Sequence, residues 1–265
     1  MKLTILGAGT GLVRKESRSP AVLIESKGES ILIDCGWGVP GALVDVGFST
    51  HTLGHLCITH SHADHMSALP AMLQSLVIGN IHHLPGAERE HPLALHGYPG
   101  FGNDVQILKK MMVPEINLDH DVQIFELGQD SSTQFGVFTI QTTEVQHVPT
   151  LRCVAYRISD GTHTAVVSGD LKWDESFAPV IQDADIAILD ASMPIHEFAD
   201  SKPGDNPTHL TAEQCGMWAD RGNVKRLVLT SLYGLDTPTE LAVEVQKHYK
   251  GMLTIPSELE VIELV

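Results

Sequence analysis

Basic residues are scarce in this 265-residue chain. Seventeen lysines and arginines stand against 33 aspartates and glutamates, a formal net charge of −16. A protein that grips a long polyanion needs a basic surface to neutralise phosphates, so this balance argues against long RNA or DNA as a partner. Cysteine is sparse too. Cys35, Cys57, Cys153 and Cys215 are scattered and form no CxxC pair, which argues against a disulfide framework and reads as buried free thiols. Apolar runs are short, and none approaches the roughly 20 residues of a membrane-spanning helix. The opening segment, Met1-Lys2-Leu3-Thr4-Ile5-Leu6-Gly7-Ala8-Gly9, reads as a strand entering a glycine turn. It has neither the long apolar stretch nor the small-residue cleavage site of a secretory leader. A soluble, cytoplasmic protein without a membrane partner is the expectation.

The composition is that of a folded globular chain, 43% hydrophobic and 19% charged. No compositional break marks a boundary, so residues 1–265 read as one domain. Apolar runs predict strands over 2–6, 21–25, 31–34, 55–59, 137–142, 153–158, 164–168, 186–190 and 226–230. Helical spacing appears over 65–77, 104–112, 211–221 and 239–249. Thr211 followed by Gln214 offers a capping box, in which hydroxyl and amide each satisfy a free backbone N–H. The stretches 79–102 and 193–206 carry Gly and Pro and read as loops. Groups of strands with helices between them predict an α/β fold in which two sheets pack together with helices outside, a four-layer αβ/βα sandwich.

Histidine is plentiful, at 15 residues, and its clustering carries the chemistry. Thr59-His60-Ser61-His62-Ala63-Asp64-His65 follows the apolar strand at 55–59 and precedes a helical run. Residues two apart on extended backbone point the same way, so His60 and His62 can converge on one metal. Asp64 and His65 then fall at the start of the helix, where they can face a second metal. Neutral imidazole is a good zinc ligand and a carboxylate adds charge neutralisation. By contrast, His82, His83, His91 and His96 lie in the loop-rich stretch and read as solvated or rim residues. The Lys109-Lys110 pair reads as solvent-facing.

The segment Ile58-Thr59-His60-Ser61-His62-Ala63-Asp64-His65-Met66-Ser67-Ala68-Leu69-Pro70 resembles the signature of the metallo-β-lactamase superfamily, nearest to its ribonuclease Z and phosphodiesterase branch. Gly7-Ala8-Gly9-Thr10-Gly11 resembles that branch's opening turn, and Ile31-Leu32-Ile33-Asp34-Cys35-Gly36 its Asp-Cys-Gly strand end. The resemblance implies further site residues. His147, in Val145-Gln146-His147-Val148-Pro149, would complete a three-histidine site with His60 and His62, leaving a coordination position open for water. Asp170, closing Val166-Val167-Ser168-Gly169-Asp170, would bridge two metals. One departure stands out. In Leu227-Val228-Leu229-Thr230-Ser231, Ser231 stands where the family carries a last histidine ligand, so the second metal would hold only Asp64, His65 and Asp170 from the protein. His209 resembles the histidine that faces the scissile phosphate, with Asp190 supporting it where the branch carries a Glu.

The implied activity is metal-dependent hydrolysis of a phosphodiester by metal-activated water, with Asp64, His209 and Asp190 as catalytic residues. The cofactor would be one or two Zn2+ per chain, with Mn2+ or Fe2+ as alternatives. The branch's long basic arm for transfer RNA has no counterpart here, so a small phosphodiester such as a cyclic nucleotide is the expected partner. The resemblance also implies a homodimer. Two alternatives stay open on the same fold: a thioester, lactone or β-lactam hydrolase, and a metal-binding protein whose catalysis is weakened by Ser231.

Overall fold

The structure, a computed structural model, describes residues 1–15, 17–87, 89, 91–118, 120–198 and 208–265. Among these, fourteen strands form two seven-stranded sheets. The first has the order β14-β1-β2-β3-β4-β5-β6, built from Glu260–Glu263, Lys2–Gly7, Ala21–Ser26, Glu29–Ile33, His55–Cys57, Leu93–Gly97 and Val122–Glu126. The second has the order β13-β12-β11-β10-β9-β8-β7, built from Met252–Thr254, Arg226–Thr230, Ile186–Asp190, Thr164–Val167, Cys153–Ser159, Phe138–Val145 and Ser131–Phe135. Helices α1 (Val39–Asp45), α3 (Leu69–Ile81) and α4 (Phe101–Met112) belong to the first sheet. Helices α5 (Ala178–Ile181), α7 (Ala212–Arg221) and α8 (Pro238–Gln246) belong to the second. The short helices α2 (Ala63–Met66) and α6 (Ile195–Phe198) lie at strand–helix crossings. The predicted four-layer sandwich is the observed architecture.

Period-two alternation explains how one strand serves two interiors. In β11, Ile186 and Ile188 face the core between the sheets with Leu3, Ile5, Leu23 and Tyr156. Ala187 and Leu189 face the outer helices, where Trp218, Phe177 and Leu241 pack. Both faces of the strand are therefore covered, and its sequence is continuously apolar as a buried parallel strand requires. All four cysteines are free and buried. No helix of the described residues is long and apolar enough to cross a membrane.

The departures from the sequence reading have local causes. The helix expected over 65–77 is two helices, because Pro70 has no N–H to give the carbonyl four residues back and its ring clashes there. The predicted loop 79–102 contains the end of α3, all of β5 and the start of α4. His96, expected at a rim, is instead fully buried in β5. It stacks on Phe125, and its Nε2 is 3.1 Å from His55 Nδ1. Burial and the neighbouring His55 push it down to about 3, so it is a neutral core histidine. His82, His83 and His91 are exposed, as expected. The capping box at Thr211 forms with Gln214. Of the expected loop 193–206, residues 199–206 lie outside the described residues.

Candidate metal centre

Strands β3, β4 and β5 run parallel, as do β10, β11 and β12. Strand β8 shares the direction of β10, because both are antiparallel to β9. The C-terminal ends of these strands meet at one edge of the sandwich, the end at which α/β sheets gather ligands. His60 follows β4, His147 follows β8, Asp170 follows β10, Asp190 ends β11 and Ser231 follows β12. The sheets touch at this edge. Val154 N donates to Thr59 O at 3.0 Å, and Tyr156 Oη donates to Ile58 O at 2.8 Å. Gly169 lies against Thr59 with φ +60°, and a Cβ there would come 2.7 Å from the Thr59 Cβ, so Asp170 reaches the site only because residue 169 is glycine.

Three imidazoles converge. His60 Nε2 is 3.0 Å from His62 Nδ1, and His147 Nε2 is 3.2 Å from the same atom. Asp170 Oδ2 stands 3.9 Å from both Nε2 atoms. The far nitrogens fix the tautomers. His147 Nδ1 donates to Thr208 O at 2.8 Å. His60 Nδ1 is 3.0 Å from Thr59 Oγ1, which in turn donates to Asp34 Oδ2 at 2.9 Å. Both Nε2 lone pairs therefore aim at the common centre. Burial, added to the neighbouring imidazoles, holds His60 well below the ordinary histidine range and lowers His62 as well. Neutral rings are the ligand form. Nitrogens roughly 2.0–2.1 Å from a tetrahedral zinc would lie about 3.3 Å apart, close to the spacings seen. The donor set fits a divalent cation.

A second group adjoins the first. Asp64, His65 and Asp170 bring ligand atoms within 4.8 Å of one another. His65 Nε2 is 3.3 Å from Asp170 Oδ1 and 3.7 Å from Asp64 Oδ2. It is buried and has no hydrogen-bond partner, the mark of an atom placed for a cation. Its Nδ1 donates to Asp34 Oδ2 at 2.7 Å. Burial opposes the charge on Asp170, yet His65, His60 and His209 around it hold its carboxyl well below the usual range. Ser231 is where the sequence puts it, with Oγ 3.4 Å from Asp170 Oδ1 and φ +58°. No imidazole replaces it in this group among the described residues.

Asp170 also joins a third group, with Asp190 and His209. His209 Nδ1 donates to Asp190 Oδ2 at 2.8 Å and stands 3.8 Å from Asp170 Oδ2. Asp190 is fully buried, and Ser192 N and Leu171 N donate to its carboxylate at 3.0 and 3.3 Å. Partial burial works against a charged His209, but Asp190 outweighs it and pushes the imidazole up to about 9. The shorter Asp side chain thus reaches its histidine. Every residue that the sequence assigned to the site is at this edge. One participant was missed. Asp34, with φ +62°, takes Thr59 N at 2.8 Å as well as His65, and so orients two of the ligand-bearing segments. Its sequence signal was the Asp-Cys-Gly that closes β3.

The sequence profile of the Metallo-beta-lactamase superfamily matches residues 14–212. The chain is similar to the probable metallo-hydrolase YhfI of Bacillus subtilis, 26% identical over 255 residues that cover 96% of each chain. The crystal structure of that metallo-beta-lactamase fold protein superposes with a TM-score of 0.82, at 23% identity and 98% coverage of both chains. A ribonuclease Z of Bradyrhizobium diazoefficiens is 25% identical over 287 residues, covering 92% of this chain and 94% of its own. The short form of human tRNase Z shares the fold at a TM-score of 0.77 with 18% identity, covering 99% of both chains. The chain belongs to the metallo-beta-lactamase superfamily.

Proposed function

We propose that the chain, as one domain over residues 1–265, is a metal-dependent hydrolase that cleaves a small phosphodiester, a cyclic nucleotide being the simplest member of that class. The observation that carries the reading is the His209–Asp190 pair set against Asp170, the carboxylate common to all three ligand groups. A cationic imidazole beside a metal-binding carboxylate is placed to meet a phosphoryl oxygen or an alcohol leaving as alkoxide.

His60, His62, His147 and Asp170 would hold one cation, and Asp64, His65 and Asp170 a second. Zinc suits the imidazole-rich set, and Mn2+ or Fe2+ suits the oxygen-rich one. A bound divalent cation supplies Lewis acidity, lowering the pKa of water to about 7 and stabilising charge on a phosphoryl oxygen. Asp64 orients the attacking water and accepts its proton. His209 donates a proton to the departing oxygen, while Asp190 keeps the ring oriented and charged. Asp34 fixes the face His65 presents. The excess of 33 acidic over 17 basic residues argues for a small substrate rather than a long nucleic acid. The homodimer implied by the branch is part of the same reading and is checked by light scattering.

The test pairs metal analysis with a diesterase assay. Protein purified without added metal is measured for metal per chain, then assayed on a chromogenic phosphodiester and several cyclic nucleotides, with His62→Ala as the control. The expected result is turnover in the parent and none in the control. Activity retained in His62→Ala rules out the mechanism.

A further inference from the structure

A cavity of about 830 Å3 opens beside the metal centre, lined by Gly9, Arg14, Lys15, Ser17, Gly234 and Glu258 among others. Two chain segments tie it to the reacting site. On one side, Gly11 lies against Asp64, close enough that a Cβ on it would sit 3.4 Å from Asp64 Oδ2. Arg14 is three positions beyond Gly11, which limits their Cα separation to about 11 Å. On the other side, the chain leaves Ser231, whose Oγ touches Asp170, and Leu232 N donates to Ala8 O at 2.8 Å. Gly234 follows with φ +67°, and the Arg14 guanidinium occupies the place a side chain there would need, 2.7 Å from the Cβ position. The two loops therefore close on each other through Arg14, at the rim of the ligand cluster.

Among the described residues that line this cavity, the charge runs against that of the chain. Acidic residues outnumber basic ones nearly two to one, yet Arg14 and Lys15 form no ion pair with any carboxylate among the described residues. The lining carboxylate, Glu258, is already engaged by Arg18, whose Nη1 lies 3.3 Å from Oε2 and whose backbone N–H donates to Oε1. Two adjacent cations that meet no carboxylate among the described residues, in a cleft next to the ligand cluster, make a receptor for a dianion.

We propose that Arg14 and Lys15 bind a second anionic group of the substrate, a terminal phosphate on the same small phosphodiester whose ester phosphorus reacts at the metal centre. The inference rests on the phosphodiesterase reading for its reaction, and it narrows the substrate class. A cyclic mononucleotide has no second anion to place in this cavity, whereas a short phosphodiester with a phosphorylated end does. Arg14 and Lys15 are specificity residues in this account, acting on binding.

The experiment compares the dinucleotide TpT with pTpT and TpTp on metal-loaded protein. In the parent, one of the phosphorylated forms has a KM about tenfold below that of TpT. In Arg14→Ala/Lys15→Ala the ratio collapses to within twofold of one. In Arg14→Lys/Lys15→Arg, which keeps both charges, the preference survives. A parent that treats all three alike, or a double-alanine variant that keeps the preference, overturns the proposal. If none of the three is hydrolysed, the diesterase reading fails by itself. Calorimetric binding of the same three ligands to the same proteins then decides on the cavity, with the same tenfold preference expected and its absence contrary.

Discussion

The two halves of the ligand cluster are built from different donors. The first draws three imidazoles, from the β4 end and the β8 end, around a single carboxylate. The second has one imidazole, His65, between two carboxylates, with the Ser231 hydroxyl 3.4 Å from one of them. The first set has three imidazoles to one carboxylate and resembles a borderline-soft zinc site. The second has two carboxylates to one imidazole, an oxygen-rich set that favours harder cations. They share Asp170, so neither is independent of the other. On the proposed reading, the grip of the second centre would rest on three ligands and on Asp34 behind them, while the first adds three imidazoles to the shared carboxylate.

The largest effect should come from the imidazole-rich half. His60→Ala removes a ligand whose partners lie at 3.0 Å and 3.9 Å. It is expected to lower turnover of a chromogenic diester on the order of a thousandfold and to strip metal from the chain, read by elemental analysis. A variant that keeps metal and rate would remove the distinction between the halves. Next is Asp34→Ala, which leaves the His65 Nδ1–H without its acceptor. Outer-shell carboxylates of this kind are worth about 10- to 100-fold in metal affinity. The loss should fall on the weaker of two binding steps in a metal titration.

Ser231→His should sharpen the comparison from the other direction. The position has φ +58°, a left-handed conformation in which histidine is more often found than bulky or branched residues. An added imidazole is expected to raise second-cation occupancy, and the rate at limiting metal by about tenfold. No gain in occupancy would mean that the second centre is already saturated.

The smallest effect is one of pH. His209 is raised to about 9, with burial opposing and Asp190 prevailing, so the proton it donates is present below that pH and lost as pH rises through it. A cation on Asp170 draws off part of the carboxylate field, which places the basic limb of the rate profile at or below about 9. Asp190→Asn removes the main raising influence and should move that limb down toward the ordinary histidine value of about 6.5. A limb that stays put in the variant would assign it to another group.

Much of this was legible in the sequence, for a physical reason. The ligands sit at the ends of buried parallel strands, and such strands are short apolar runs with an abrupt polar stop. Ile186–Asp190 and Arg226–Thr230 appeared at their observed bounds, and Asp170 and Ser231 follow strands of the same kind. Elements whose residues do not alternate or run apolar were missed. Strand β7, Ser131–Phe135, is a mostly polar edge, and β5 hid because His96 interrupts its apolar run and Pro92 precedes it. Asp34 was visible as a motif letter but not as a partner. Its role depends on a left-handed backbone at residue 34 and on a histidine 31 positions away, a contact that only tertiary structure makes.

The account stands on a divalent cation held where three imidazole nitrogens face one another. Anomalous X-ray scattering from crystals grown with zinc tests this directly. The prediction is a zinc peak within about 2.3 Å of His60 Nε2, His62 Nδ1 and His147 Nε2 together. Crystals with zinc bound elsewhere and no peak among those three atoms would contradict it.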